Sequence, residues 1–277
     1  MKRQALVWLY VGLCVIAHGG IAQAEQGKLV WSDEFTQEGT PDAMKWTYEE
    51  GFRRNEELQF YTRRPENVRV ENGMLVIEAR REQYANPGFR STKSSDWRKS
   101  REHAEYTSAS VTTRGIASWR YGRVEVRATL PGGRGMWPAI WMLGTDRRAG
   151  WPACGEIDIM EYVGHDPKTI HGTVHTARYN HVKGTQKGKT LKVSQPDQEF
   201  HVYAIEWDKN KIDFFVDGEK YFTFTNEETG KDAWPFDEPH YLILNTAVGG
   251  SWGGQKGIDE TIFPTRYEID YVRIYQK

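Results

Sequence analysis

Residues Lys211–Phe224 read KIDFFVDGEKYFTF, two apolar runs separated by Asp217-Gly218. Asp-Gly between such runs signals a hairpin, because both central residues of a type I′ turn need positive φ. Similar short segments lie on both sides of it. GMLVIEAR (Gly73–Arg80), RVEVRATL (Arg123–Leu130, followed by Pro-Gly-Gly), HVYAIEWD (His201–Asp208) and the last segment Tyr267–Tyr275 all read as strands. They are bounded by Gly, Pro, Asn and Asp, and no amphipathic helical stretch of convincing length interrupts them. The pattern predicts an all-β, antiparallel sandwich of two sheets in one domain. Residues Arg81–Tyr106 are polar and mixed in charge, and they predict a long surface loop.

The chain has 277 residues, enough for one large core. Its first residues have the layout of a secretory signal peptide: MKRQ, the short apolar run ALVWLYVGLCVIA, and the small residues of IAQA ending at Ala24. The expected organisation is a signal peptide over 1–24 and a single domain over 25–277, exported without a lipid anchor or membrane span. The formal net charge is −1, which offers nothing for a nucleic acid. Of the two cysteines, Cys14 lies in the signal and Cys154 is left alone, so no internal disulfide is expected. The 11 Trp, 14 Tyr and 11 Phe can stack on sugar rings or fill a sandwich core, and the core accounts for most of them.

The chemistry concentrates in Gly155-Glu156-Ile157-Asp158-Ile159-Met160-Glu161-Tyr162. On a regular strand Glu156 and Asp158 share one face, and Ile157 and Ile159 share the other. Glu161 has the wrong parity and joins the other acids only if a β-bulge near Ile159–Met160 absorbs one residue. The Cα atoms at the ends of a four-step strand are about 13 Å apart. Two glutamates leaning together can approach the roughly 5–5.5 Å carboxyl spacing of a retaining glycosidase. Three acids on one strand can also be a solvated face, but like charges so crowded cost stability. A metal site is a further reading. The segment itself supplies no histidine and no calcium-type loop of oxygen ligands.

GEIDIMEYVG resembles the signature of glycoside hydrolase family 16, in which Glu-x-Asp-x-x-Glu marks a bulged catalytic strand. The resemblance spans nearly the whole chain after residue 24: LVWSDEF, NEELQFYT, YGRVEVRATLPGG, MWPAIWML, HGTVH, FHVYAIEWD and LNTAVGGSWGG follow in the family's order. It is nearest to the bacterial endo-β-1,3-glucanases, or laminarinases. The resemblance implies a β-jelly-roll sandwich of the lectin and glucanase type, with an open cleft on a concave sheet. It also implies a retaining mechanism, with Glu156 as nucleophile, Glu161 as acid and base, and Asp158 orienting Glu156 through a shared hydrogen bond.

Further roles follow from the resemblance. Trp137 and Trp141, an i, i+4 pair on one strand face, are core residues on spacing alone; the family makes them sugar subsites. His175 is either a satisfied core histidine or a neighbour of the acids. Asn55 and Trp252, the latter in GGSWGG, are further subsite positions. Ser110 stands where many laminarinases have Arg. The resemblance requires no catalytic cofactor, but it implies a structural calcium at Glu34, Asp270 and the Gly73 carbonyl. The expected partner is a β-glucan, and the expected state a monomer in the periplasm or outside the cell. Mixed-linkage glucan, agarose or carrageenan cleavage is the alternative among enzymes. A non-catalytic glucan-binding protein on the same fold is the alternative outside them.

Overall fold

The computed structural model describes residues 27–277; the expected signal peptide, with Cys14, lies outside them. Two sheets carry the fold. The larger joins Lys28–Asp33, Gln59–Tyr61, Val68–Glu71, Met74–Ala85, His103–Ser108, Gly122–Thr129, His201–Trp207, Lys211–Val216, Glu219–Thr225 and Thr265–Gln276. The smaller joins Thr47–Glu49, Ser110–Thr112, Met136–Gly144, Glu156–Glu161, Thr169–His175, Lys187–Lys192 and His240–Val248. Pairing is antiparallel except between Gln59–Tyr61 and His103–Ser108. This is the two-sheet sandwich expected from the alternating segments. Among the described residues the one α-helix is the single turn Gly250–Gly253, and no helix is long and apolar enough to cross a membrane.

The hairpin Lys211–Thr225 turns at Asp217-Gly218, both at positive φ (51° and 82°), as the turn chemistry requires. The core lies between the sheets. Val124, Val126, Ile205, Phe214, Tyr267 and Val272 of the larger sheet meet Ile140, Met142, Ile157, Ile159, Leu242 and Leu244 of the smaller. Alternation then decides what the smaller sheet shows outside. Ile140 and Met142 point into the core, while Ala139, Trp141, Ile243 and Tyr241 form a separate outer cluster.

Residues 81–106 differ from the expected loop. Met74–Ala85 runs on through Arg81 and pairs with His103–Ser108, so only 86–102 loops out. Past Arg81 the ribbon is mostly polar, and its few buried residues, Ala104, Tyr106 and Thr107 among them, are too small or too polar to give a clear period-2 signal. Cys154 is buried and has no cysteine partner among the described residues.

Candidate active site

The strand Glu156–Glu161 lies between Met136–Gly144 and Thr169–His175 in the smaller sheet. Its register slips after Asp158 against both neighbours. The bulge shows in the packing: Ile159 and Met160, adjacent in sequence, both enter the core cluster. Two consecutive inward residues return Glu161 to the outer face with Glu156 and Asp158, and the three acids line one cavity there.

Each glutamate receives an indole N–H. Trp151 Nε1 donates to Glu156 Oε2 at 3.0 Å, and Trp137 Nε1 donates to Glu161 Oε1 at 3.0 Å. Burial raises the pKa of all three acids. The charge of Glu161 raises that of Glu156 further, and the Glu156 and Glu161 charges do the same to Asp158. The cluster therefore holds protons into the neutral range. Within the pair, only Glu156 has a cation acting on it, the Arg54 guanidinium. That pulls Glu156 toward the carboxylate, yet burial and the Glu161 charge still push it up to about 8 against about 7 for Glu161, so the two share protons through the neutral range. Asp158 Oδ2 is buried and has no hydrogen-bond partner among the described residues. Held protonated by burial, Asp158 can offer its proton to Glu156, but no bond between them is formed in this arrangement.

His175 reaches the acids from the next strand, its Nε2 3.4 Å from Asp158 Oδ2 and 3.7 Å from Glu156 Oε1. Burial lowers its pKa to about 4, so the ring is neutral at physiological pH. The metal reading of the acidic segment thus gains the histidine that the segment itself lacked. Glu156, Asp158 and His175 bring ligand atoms within 4.8 Å of one another.

Two cavities meet at the glutamates. One, of about 340 Å³, is lined by Trp137, Trp141, Trp151, Leu143, Asn245 and Arg54 among others. The other, of about 440 Å³, is lined by His171, Thr173, His175, Gln186, Trp252 and Gln255 among others. Asn55, Trp137, Glu156, Glu161 and His181 border both. A chain lying along this cleft passes directly over Glu156 and Glu161.

The remaining expected residues take distinct places. Trp141 lies on the cleft floor, 7% exposed, donating to Asn245 Oδ1 at 2.7 Å. The Arg54 guanidinium sits 4.8 Å above its ring. Trp252 packs edge-on against Trp137 (5.4 Å) and His171 (4.9 Å). Gly250, at φ 74°, lets the GGSWGG loop press against the loop of Asn55: a Cβ there would lie 2.9 Å from the Asn55 carbonyl oxygen. These glycines serve loop-to-loop contact. Ser110 is buried and donates to Glu49, which also pairs with Arg54. The arginine missing at 110 is thus matched by one arriving from the neighbouring loop.

Arg54, Glu57, Trp151, His181 and Asn245 were not singled out from the sequence. Trp151 had the clearest available signal, a Trp-Pro five residues before Glu156, in the turn that leads into the acidic strand.

The calcium positions lie on the larger sheet. Asp33 pairs with Val272 and Leu75 with Ile269, so the registers carry Glu34 and Gly73 toward residues 270–271. Both carboxylates are engaged, however. Arg273 donates to both oxygens of Glu34 at 2.9 and 2.8 Å, and Arg127 donates to Asp270. The set fits a cation only with Glu34 released from Arg273 and with Asp270 turning its other oxygen, the one not held by Arg127, to the ion.

A bulged strand with paired glutamates, floored by tryptophans in an open cleft, defines a carbohydrate-cleaving site. The comparisons agree: the profile of the glycosyl hydrolases family 16 matches residues 55–273, and the chain belongs to that family. It is 49% identical to a beta-glucanase of Rhodothermus marinus, over 100% of this chain and 95% of the relative. The crystal structure of the laminarinase from Rhodothermus marinus superposes with a TM-score of 0.81 at 50% identity, covering 91% of this chain and 98% of that one. A non-specific endo-beta-1,3(4)-glucanase of the same family gives 0.82 at 52% identity, covering 91% and 92%.

Proposed function

We propose that this protein is a secreted endo-hydrolase of β-1,3-glucan that works by retaining double displacement. The observation that carries this reading is the cleft continuing on both sides of Glu156 and Glu161. A chain bound on both sides is cut internally. The likeness to a laminarinase and a β-1,3(4)-glucanase along 91% of the chain supports β-1,3-glucan as substrate. Glu156 attacks the anomeric carbon and Glu161 protonates the leaving oxygen; Glu161 then takes a proton from the water that releases the glycosyl-enzyme. Asp158 supplies a proton to the Glu156 carboxylate and keeps it oriented. Trp141 and Trp137 floor the sugar subsites, with Asn55, His175 and Trp252 at their edges.

Reducing-sugar release from laminarin, lichenan, agarose and carrageenan, measured side by side, tests the substrate. Laminarin should be cut fastest. Faster release from another polymer replaces the substrate, and no release from any favours a glucan-binding protein. Export and a monomeric state belong to the same proposal. The N-terminal residue of the mature chain and its mass in solution check them.

Trp151→Phe tests the support of Glu156. It removes the one indole N–H on Oε2 and keeps a ring. A hydrogen bond to a charged group contributes about 1.5–3 kcal/mol, so kcat/KM on laminarin should fall roughly 10- to 100-fold. An unchanged kcat/KM would remove Trp151 from the mechanism.

The structural calcium implied by the resemblance is part of the proposal. Glu34, Asp270 and the Gly73 carbonyl would hold it, displacing Arg273, and its work would be to tie the terminal strands. Chelation should then lower the melting temperature. A chelator that leaves it unchanged shows that Arg273 alone closes Glu34.

A further inference from the structure

We propose that Glu156, Asp158 and His175 form a zinc-binding site, and that zinc bound there blocks the nucleophile and competes with the polysaccharide. The proposal rests on the active-site residues, and not on which glucan is cut.

The geometry suits a small ion. Zinc bonds to nitrogen and oxygen of about 2.0–2.2 Å, arranged tetrahedrally, set ligand atoms roughly 3.3–3.5 Å apart. His175 Nε2 lies 3.4 Å from Asp158 Oδ2 and 3.7 Å from Glu156 Oε1, and all three ligand atoms fall within 4.8 Å. Shifts of a few tenths of an ångström at two contacts, and somewhat more between the carboxylates, close the triangle.

The donor atoms are also open, and zinc binding there releases the protons the acids hold. The Asp158 side chain is 4% exposed, and its Oδ2 faces His175 with no hydrogen-bond partner among the described residues. A buried oxygen left so is costly unless something arrives to use it. On Glu156 the two oxygens are divided: Trp151 holds Oε2, and Oε1 is the one turned to His175. The His175 ring is wedged by His181 at 5.1 Å and Trp151 at 6.2 Å, which fixes its direction. Three donors beside an open cleft match a zinc site with one position left for water, and the His175 ring is held by packing alone, its Nδ1 having no hydrogen-bond partner among the described residues. The imidazole nitrogen among the donors favours zinc over calcium or magnesium, which prefer oxygen ligands.

Zinc titration into the full-length mature protein, followed by calorimetry in a non-coordinating buffer, tests the site. One zinc per chain is expected. His175→Phe, which keeps the ring packing, should weaken binding by more than about 100-fold, since even changes behind a ligand cost 10- to 100-fold. Asp158→Asn should weaken it as well and covers the case in which the first variant misfolds. His103→Ala, exposed on the larger sheet and lining neither cavity, should leave the affinity within a few-fold. Laminarin oligosaccharide should raise the apparent dissociation constant for zinc. Absence of saturable binding, or affinity retained in both ligand variants, overturns the site. Binding unaffected by the oligosaccharide overturns the competition. The calorimetric result does not require activity, so a protein that binds zinc but cuts no laminarin would sink only the glucan reading.

Discussion

Glu156→Gln should fold normally and lose hydrolysis of laminarin, with kcat/KM down by about 10⁴-fold or more, the scale on which covalent nucleophiles matter. The fold should survive because Glu156 supports no part of the core. Its neighbours Ile157 and Ile159 hold the strand from the other face, and the substitution keeps the shape beside Trp151. Loss of activity alone would not separate nucleophile from acid, so the sharper variant is Glu156→Gly with added azide. The shortened side chain leaves room for a small anion on the face that Glu156 occupies. Glu161 still protonates the leaving oxygen, and azide forms the new bond at the anomeric carbon. Attack from that face inverts a β-glycoside, so the product should be an α-glycosyl azide. A β-azide would mean that Glu156 and Glu161 have exchanged roles. Near-wild-type hydrolysis in Glu156→Gln would remove the assignment altogether.

The part of this site legible in the sequence was the part fixed by local parity. Acids at 156, 158 and 161 with apolar residues at 157, 159 and 160 can all be satisfied only by a bulge. The register slip after Asp158 and the burial of both Ile159 and Met160 are its result. The strands that bury one face were legible for the same reason, the first half of Met74–Ala85 among them, and only its polar second half, which buries little, was not. Arg54 over Trp141 was hidden because its position depends on Glu49 and Ser110, brought together by pairing between strands sixty residues apart. Asn245 was hidden likewise, since it reads as one polar residue in a buried strand until Trp141 and Tyr61 are seen to bond it. The calcium positions show the opposite limit. Register brings them toward one another, but nothing local announces that Arg273 and Arg127 reach the carboxylates.

Glu161→Gln should abolish turnover of laminarin and at the same time raise the melting temperature at alkaline pH. Both effects come from one buried carboxyl. Burial pushes the Glu161 pKa up from 4.5 to about 7, partly offset by the Trp137 indole N–H. Below pH 4.5 folded and unfolded chains both carry the proton, and Glu161 costs nothing. Between 4.5 and 7 the folded state binds more protons than the unfolded state, so stability falls as pH rises. Above 7 the full penalty is present, on the order of 3 kcal/mol for a shift of this size. Glutamine never ionises, and its removal of charge also relieves Glu156 and Asp158, whose pKa values the Glu161 charge raises. At about 2–4 °C per kcal/mol for a domain of this size, the variant should melt several degrees above wild type at pH 9. The gap should shrink toward zero near pH 4. The activity follows the opposite sign. The first step needs the proton on Glu161, so wild-type turnover should fall at alkaline pH as the coupled Glu156–Glu161 pair gives up its last proton, while Glu161→Gln lacks that proton at every pH. An aryl glucoside whose leaving group needs no protonation should still form the glycosyl-enzyme in the variant and stall there. Melting curves for both proteins at pH 4, 7 and 9 decide the matter. A variant no more stable than wild type at pH 9 would mean that Glu161 is solvated and that its proton is not held by burial.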